Sequence, residues 1–369
     1  MKHDTFITPR QFTIMVILFT IGSTILILPA PLASEAKQDA WLVALAGAIL
    51  GLLIGRLYTA VALLHPGLSF IQQTEFILGK PIGTLFNLSF IFMCYTSSAE
   101  LVYYVSSFVL IEWMPDTPIQ FIHLLFTGVV ILGVYLGLPT IARAAEILFP
   151  WFVLLFSILA ITVVPLIDLK NIQPVFEASP ARFAGSVLHY SSILSFPGIV
   201  MLMVYPIALK QPQQARSAMG KGIFLGGLVL EIISLLTILA LGPTITAMKV
   251  YPSYTLARII NIGDFLQRIE AIMALIWIIS LYFRTVMYFY ASVKGVLELL
   301  KLSSFRPLAL PSWLLLVDFS LIVHPSTIHA ASYDYSWIPF ILMYSIGLPL
   351  LLLGVHTIRK KMKSRTPTP

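Results

Sequence analysis

Along most of this chain the apolar residues come in long continuous runs separated by short polar links, not at the spacing of a half-buried helix or strand. Ten runs are long enough, or nearly so, to cross a bilayer: 11–33, 40–64, 85–111, 119–138, 145–167, 183–209, 222–242, 269–292, 309–323 and 336–358. Crossing the hydrocarbon core takes about 20 helical residues, and the ninth run is the short one. The spacing predicts an all-α integral membrane protein, one polytopic domain over 1–369 with no large soluble appendage. Lys2 and Arg10 precede the first run as they would in a signal peptide. Its length, its Pro-ended close and its place in a series predict a retained span.

Two runs are broken in the middle. The first is interrupted at Ile21-Gly22-Ser23-Thr24 and ends in Pro29-Ala30-Pro31; the sixth is interrupted at Ser195-Phe196-Pro197-Gly198 and ends in Tyr205-Pro206. Gly and Pro free backbone groups that hydrocarbon cannot satisfy, so such breaks persist only where protein or a polar cavity receives them. Broken helices in corresponding positions of two halves mark the substrate site of many transporter folds. Spans one to five (about 11–167) and six to ten (about 183–358) each make an odd number of crossings, so the second half enters from the opposite side. That is a five-plus-five inverted repeat with broken helices one and six. Gly47-x-x-x-Gly51 recurs as Gly222-x-x-x-Gly226, at the offset that separates Pro31 from Pro206. These small-residue ridges read as helix-packing devices.

Composition agrees with this class. The chain is 58% hydrophobic and 11% charged, against about 25% charged in soluble domains. The net charge of +7 follows from topology and does not point to nucleic acid. With the N-terminus in the cytoplasm, only Lys37, Lys170, Arg182, Lys249, Arg258 and Arg268 fall outside, Arg284 lies within a span, and every other Lys and Arg is inside. That satisfies the positive-inside rule with both termini cytoplasmic. Cys94 is the single cysteine, so an intrachain disulfide is excluded. The outside segment from Tyr254 to Ile262 has partial helical periodicity and predicts a short helix over the outer mouth, a lid or simply a cover.

Catalytic signatures are absent: there is no HExxH, CxxC, Walker A or GxSxG pattern. The seven histidines lie mostly at span ends without metal-ligand spacing. No enzyme activity, metal or cofactor is expected. The breaks offer binding chemistry instead. N–H groups at Gly22, Ser23 and Thr24 would receive a carboxylate. Carbonyls freed around Ser195, Phe196, Pro197 and Gly198 would accept from an ammonium or hydroxyls. The alternative is a pair of kinks filled by neighbouring side chains.

Charges inside spans are functional candidates because each costs a few kcal/mol or more. Glu100 lies near the middle of span three, followed by Tyr103 and Tyr104, and reads as a ligand or proton-linked carboxyl, or else a structural one. Arg284, in span eight, is either a built-in cation standing where a sodium ion would otherwise sit or a guanidinium reaching the cytoplasmic interface. A Glu100–Arg284 pair is open. Glu231 reads as structural.

The opening Ile7-Thr8-Pro9-Arg10-Gln11-Phe12, the following Ile21-Gly22-Ser23-Thr24-Ile25-Leu26 and Pro29, with the Glu100 and Pro197-Gly198 regions, resemble the B subunit of bacterial spore-germination nutrient receptors. The resemblance covers nearly the whole chain. It implies membership of the amino acid–polyamine–organocation transporter superfamily. It also implies a nutrient-sensing subunit in the spore inner membrane that binds an amino acid or sugar beside larger A and lipoprotein C subunits, with ion release during germination. Carried onto this chain, the resemblance implies Gly22, Ser23, Thr24, Glu100, Pro197 and Gly198 as cavity residues; Tyr103 and Phe196 are added as contacts and Arg284 as the coupling or resident cation. The competing expectations are a proton-coupled amino-acid permease and an ion or water channel within a larger complex.

Overall fold

Thr8 starts the first span with a capping box: its hydroxyl accepts from the Gln11 N–H while the Gln11 side chain accepts from the Thr8 N–H, and Pro9 occupies the first helical position. The computed structural model describes residues 6–205, 207–209, 212–261 and 268–365, without side chains at 212–215, 327, 328, 331, 332, 334, 335 and 363–365. Lys2, His3, Pro206, Lys210 and Ile262 lie outside the described residues.

Span one is α1 (Pro9–Ile21), α2 (Thr24–Ile27) and α3 (Pro29–Ala36), broken at Gly22 where φ is +36°. Span two is α4 (Ala40–Ala62). A short connecting helix, α5 (Phe70–Leu78), leads into span three, α6 (Lys80–Glu112). Spans four and five are α7 (Ile119–Leu136) and α8 (Leu138–Val163). Span six is α9 (Pro180–Leu194), which gives way at Ser195 to a buried 3-10 segment, Phe196–Met203. Span seven is α10 (Pro212–Met248), kinked at Gly242-Pro243; then come α11 (Pro252–Arg258) and span eight, α12 (Glu270–Leu299). Span nine is α13 (Arg306–Ile322), and span ten is α14 (Thr327–Leu342) and α15 (Leu348–Arg365), joined by a π turn.

Among the described residues nine helices are long and apolar enough to cross a membrane. The tenth expected span, α13, has 17 residues, about 26 Å of helix against a core of about 30 Å. The count of ten is therefore approximate, and the chain is a multi-pass membrane protein. Its outer surface is apolar: Ile147, Leu154 and Ile161, one heptad apart on α8, are all exposed large hydrophobics, as a lipid-facing stripe requires. The only pairing of extended backbone among the described residues is an isolated bridge, Ile7 with Leu209, which ties the start of span one to the end of span six.

Packing partners repeat between the two halves. Span one packs on seven and span two on six; span eight packs on four and span three on nine; span one packs on five and span six on ten. The repeat is incomplete: the contact of α12 with α8, for example, has no comparable counterpart between α6 and α14 or α15 among the described residues. α12 packs on α1, but among the described residues its counterpart α6 makes no comparable contact with α9 or the 3-10 segment. That gap is where the cavity lies.

The small-residue ridges sit at these contacts. A Cβ added at Gly222 would stand 2.5 Å from Val16 Cβ and 3.1 Å from the Thr13 carbonyl, whereas one at Gly220 would meet nothing within 4 Å. Gly222→Ala is expected to destabilise the chain by about 1–3 kcal/mol through overpacking, read as a lowered melting temperature in detergent. Gly220→Ala is expected to leave it unchanged or raise it.

Candidate functional site

Breaking span one frees carbonyls in the middle of the bundle, and span eight supplies the donors. Ser280 Oγ donates to the Gly22 carbonyl at 2.9 Å and Trp277 Nε1 to the Ser23 carbonyl at 3.4 Å. Ser253 Oγ, from α11, donates to the Ile25 carbonyl at 2.8 Å. The break in span six is filled in the same way: Tyr58 OH donates to the Phe196 carbonyl at 2.7 Å, and Trp337 Nε1 to the Ser192 carbonyl at 3.0 Å. Arg284 serves both breaks. One Nη donates to Thr24 Oγ1 at 2.9 Å and the other to the Ile193 carbonyl at 2.6 Å.

Between these elements lies a cavity of about 430 Å³, toward the lower end of the range of small-molecule sites, about 300–1,000 Å³. Ser23 and Thr24 of span one, Glu100 and Tyr103 of span three and Arg284 of span eight all line it. Ile193 of span six and Trp337 of span ten complete the wall. Its rim includes the exposed Ile111, Lys249 and Val250. These lie at the end of span three and in the link after span seven, so the cavity opens toward the face opposite the N-terminus.

The two charges are held differently. Arg284 is only 4% exposed; its guanidinium lies 5.5 Å from the Phe19 ring centroid, and Nε has no hydrogen-bond partner among the described residues. It does not reach the interface at the N-terminal face, which removes that reading of it. Glu100 accepts from Tyr104 OH at 3.0 Å and stands 3.8 Å from His324 Nε2. Among the described residues Glu100 and Arg284 form no ion pair, although both face one cavity.

Gly22 does not line the cavity. It makes room for it: a Cβ there would stand 2.2 Å from Arg284 Cδ. Phe196, Pro197 and Gly198 are not brought to the cavity either. They are fully buried, Gly198 against Tyr58 and Met219, and the Phe196 carbonyl expected to face a ligand is taken by Tyr58. α2 runs through Leu28 into α3, so the outer half of span one begins at Thr24, beside the cavity. Trp337 and His324 were missed. The signal for them was the His329, Tyr333, Trp337 stripe at i, i+4 spacing, whose rings with His324 form one aromatic chain.

Above the cavity, α11 is the short helix expected near the outer mouth. Trp113 Nε1 donates to Tyr254 OH at 3.1 Å, and Arg258 pairs with Glu112 at 2.6 Å. Burial pushes the Tyr251 phenol well above its usual range, with Glu112 and Tyr103 adding to the shift, so it stays a neutral wall of the cavity at working pH. The Arg258–Glu112 pair is a half-exposed rim contact, of the kind that contributes about 0–1 kcal/mol.

The family described as spore germination protein matches residues 6–329. The chain belongs to that family. Among its relatives, spore germination protein KB of Bacillus subtilis (strain 168) is 27% identical, the match covering 98% of this chain and 97% of the relative. Spore germination protein GerLB of Bacillus cereus is 27% identical, with 93% of each covered. Among solved structures, Mhp1, a nucleobase-cation-symport-1 family transporter in a closed conformation with bromovinylhydantoin bound, superposes with a TM-score of 0.64 at 10% identity, covering 98% of this chain and 94% of that one. The likeness is one of fold: this family member has a transporter's architecture.

Because Tyr58 satisfies the span-six break away from the cavity, Tyr58→Phe should strand the Phe196 carbonyl. A loss of about 1–3 kcal/mol in stability is expected, measured by thermal unfolding, with ligand affinity unchanged.

Proposed function

We propose that this chain is the nutrient-sensing subunit of a spore germination receptor and binds an amino acid or similarly small polar nutrient in the cavity. The observation that carries the proposal is the cavity itself. In a chain of the spore germination family, it exposes one buried cation and one acidic side chain at the break in span one. Ser23, Thr24, Glu100, Tyr103 and Arg284 are its ligand-facing set, while Gly22, Phe196, Pro197 and Gly198 act through the backbone geometry of the two breaks. The repeat halves, about 11–167 and 183–358, are the bodies whose relative position the ligand biases. It does so only through a difference in affinity for the two arrangements. The chain works in the spore inner membrane with both termini cytoplasmic, beside larger A and lipoprotein C subunits.

The second reading is a proton-coupled amino-acid permease. The transporter fold and the Glu100–His324 contact at 3.8 Å favour it, since a carboxylate beside an imidazole is a proton-handling pair.

The two readings separate by reconstitution. The chain alone in proteoliposomes is expected to bind a labelled nutrient without accumulating it, and spores lacking the A or C subunit are expected not to respond. Accumulation by the chain alone, driven by a pH gradient, overturns the sensor in favour of the permease. Gly22→Leu, which drives a side chain into Arg284, is expected to abolish the nutrient response while the protein still inserts in the membrane. An unaltered response removes the cavity from the mechanism.

A further inference from the structure

We infer that Arg284 is the anchor for a carboxylate of the ligand, which makes the cavity selective for acids over neutral nutrients of similar size. The inference rests on the functional reading of the cavity and deepens it. A buried guanidinium is tolerated when it is paired and its N–H fork is filled. Arg284 is 4% exposed, yet the acceptors around its guanidinium among the described residues are Thr24 Oγ1, the Ile193 carbonyl and the Tyr288 phenol, none of them a carboxylate, and Nε has no partner. The one carboxylate that shares its cavity, Glu100, is not within ion-pair distance and is engaged by Tyr104 and His324.

Among the described residues, therefore, the protein supplies the positive charge without a paired counter-charge. A planar fork beside a hydroxyl suits a carboxylate, which accepts two parallel N–H bonds from the guanidinium. The cation's place supports this. Gly22, with φ +36° and no Cβ, gives passage to the Arg284 side chain, and Thr24 and Ile193 hold the head between the two breaks, where a bound anion would draw the broken spans together. Glu100, in the same cavity, is left to accept hydrogen bonds from the donor end of the same ligand. A purely resident cation, standing in for a sodium ion, would hold the breaks together without reading the charge of the ligand.

The test needs no variant to begin. The full chain in nanodiscs is titrated with the common L-amino acids, the α-carboxamide of each, glucose and uridine, and binding is read by calorimetry. An acid is expected to bind at least tenfold more tightly than its own carboxamide. Arg284→Gln is expected to erase that preference by weakening the acid and leaving the carboxamide unchanged, and Arg284→Lys, which keeps the charge but not the fork, to retain part of it. Equal binding of acid and carboxamide by the unaltered chain, an equal loss of both in Arg284→Gln, or tightest binding of glucose or uridine overturns the anchor and leaves the sensing function standing. Failure of every compound to bind overturns the functional reading and the anchor together. If Arg284→Gln does not fold, the comparison of acid with carboxamide in the unaltered chain decides alone.

Discussion

Every carbonyl freed by an interrupted membrane helix must find a donor inside the protein, because hydrocarbon offers none. Two spans of this chain are interrupted, and the structure around them is arranged to meet that demand. Ser280 and Trp277 reach from span eight, Ser253 from α11, Tyr58 from span two and Trp337 from span ten. Arg284 serves both breaks, through Thr24 on one and the Ile193 carbonyl on the other. Removing any of these donors would leave a desolvated acceptor, which is why the breaks, the aromatic residues and the buried cation form one system.

That system also explains why the cavity is asymmetric in a fold built from a repeat. α12 packs on span one and delivers its donors there, while among the described residues α6 makes no comparable packing against span six. The space left over is walled by span three with Glu100 and floored by Arg284. The polar groups that close the breaks therefore double as the polar groups a ligand would meet. At the far face, α11 ties the same region to the end of span three through Tyr254 and Arg258, so a change at the break has a short path to the mouth.

The membrane class, the spans and both break positions were legible in the sequence, and so were Glu100 and Arg284 as intramembrane charges. Ser23, Thr24, Glu100, Tyr103 and Arg284 do stand around one cavity. The reading of span six was less successful. Phe196, Pro197 and Gly198 mark a real break, but a break says only that carbonyls are freed, not who receives them, and Tyr58 reaches the Phe196 carbonyl first. His324 was set aside as a span-end histidine, yet its side chain is fully buried beside Glu100 and Tyr103. A position at the end of a span says nothing of what packs over it.

By itself the sequence determined what the bilayer enforces locally: contiguous apolar runs, short links, breaks wherever Gly and Pro interrupt a helix, and the family to which these belong. Hydrocarbon imposes those rules on each segment in turn, so each segment records them. Only the tertiary structure decided which donor closes which break, which side of a break faces the cavity, and that Arg284 pairs with no carboxylate among the described residues. Those outcomes depend on partners such as Arg284 and Thr24, 260 positions apart, and no local rule relates residues at that distance.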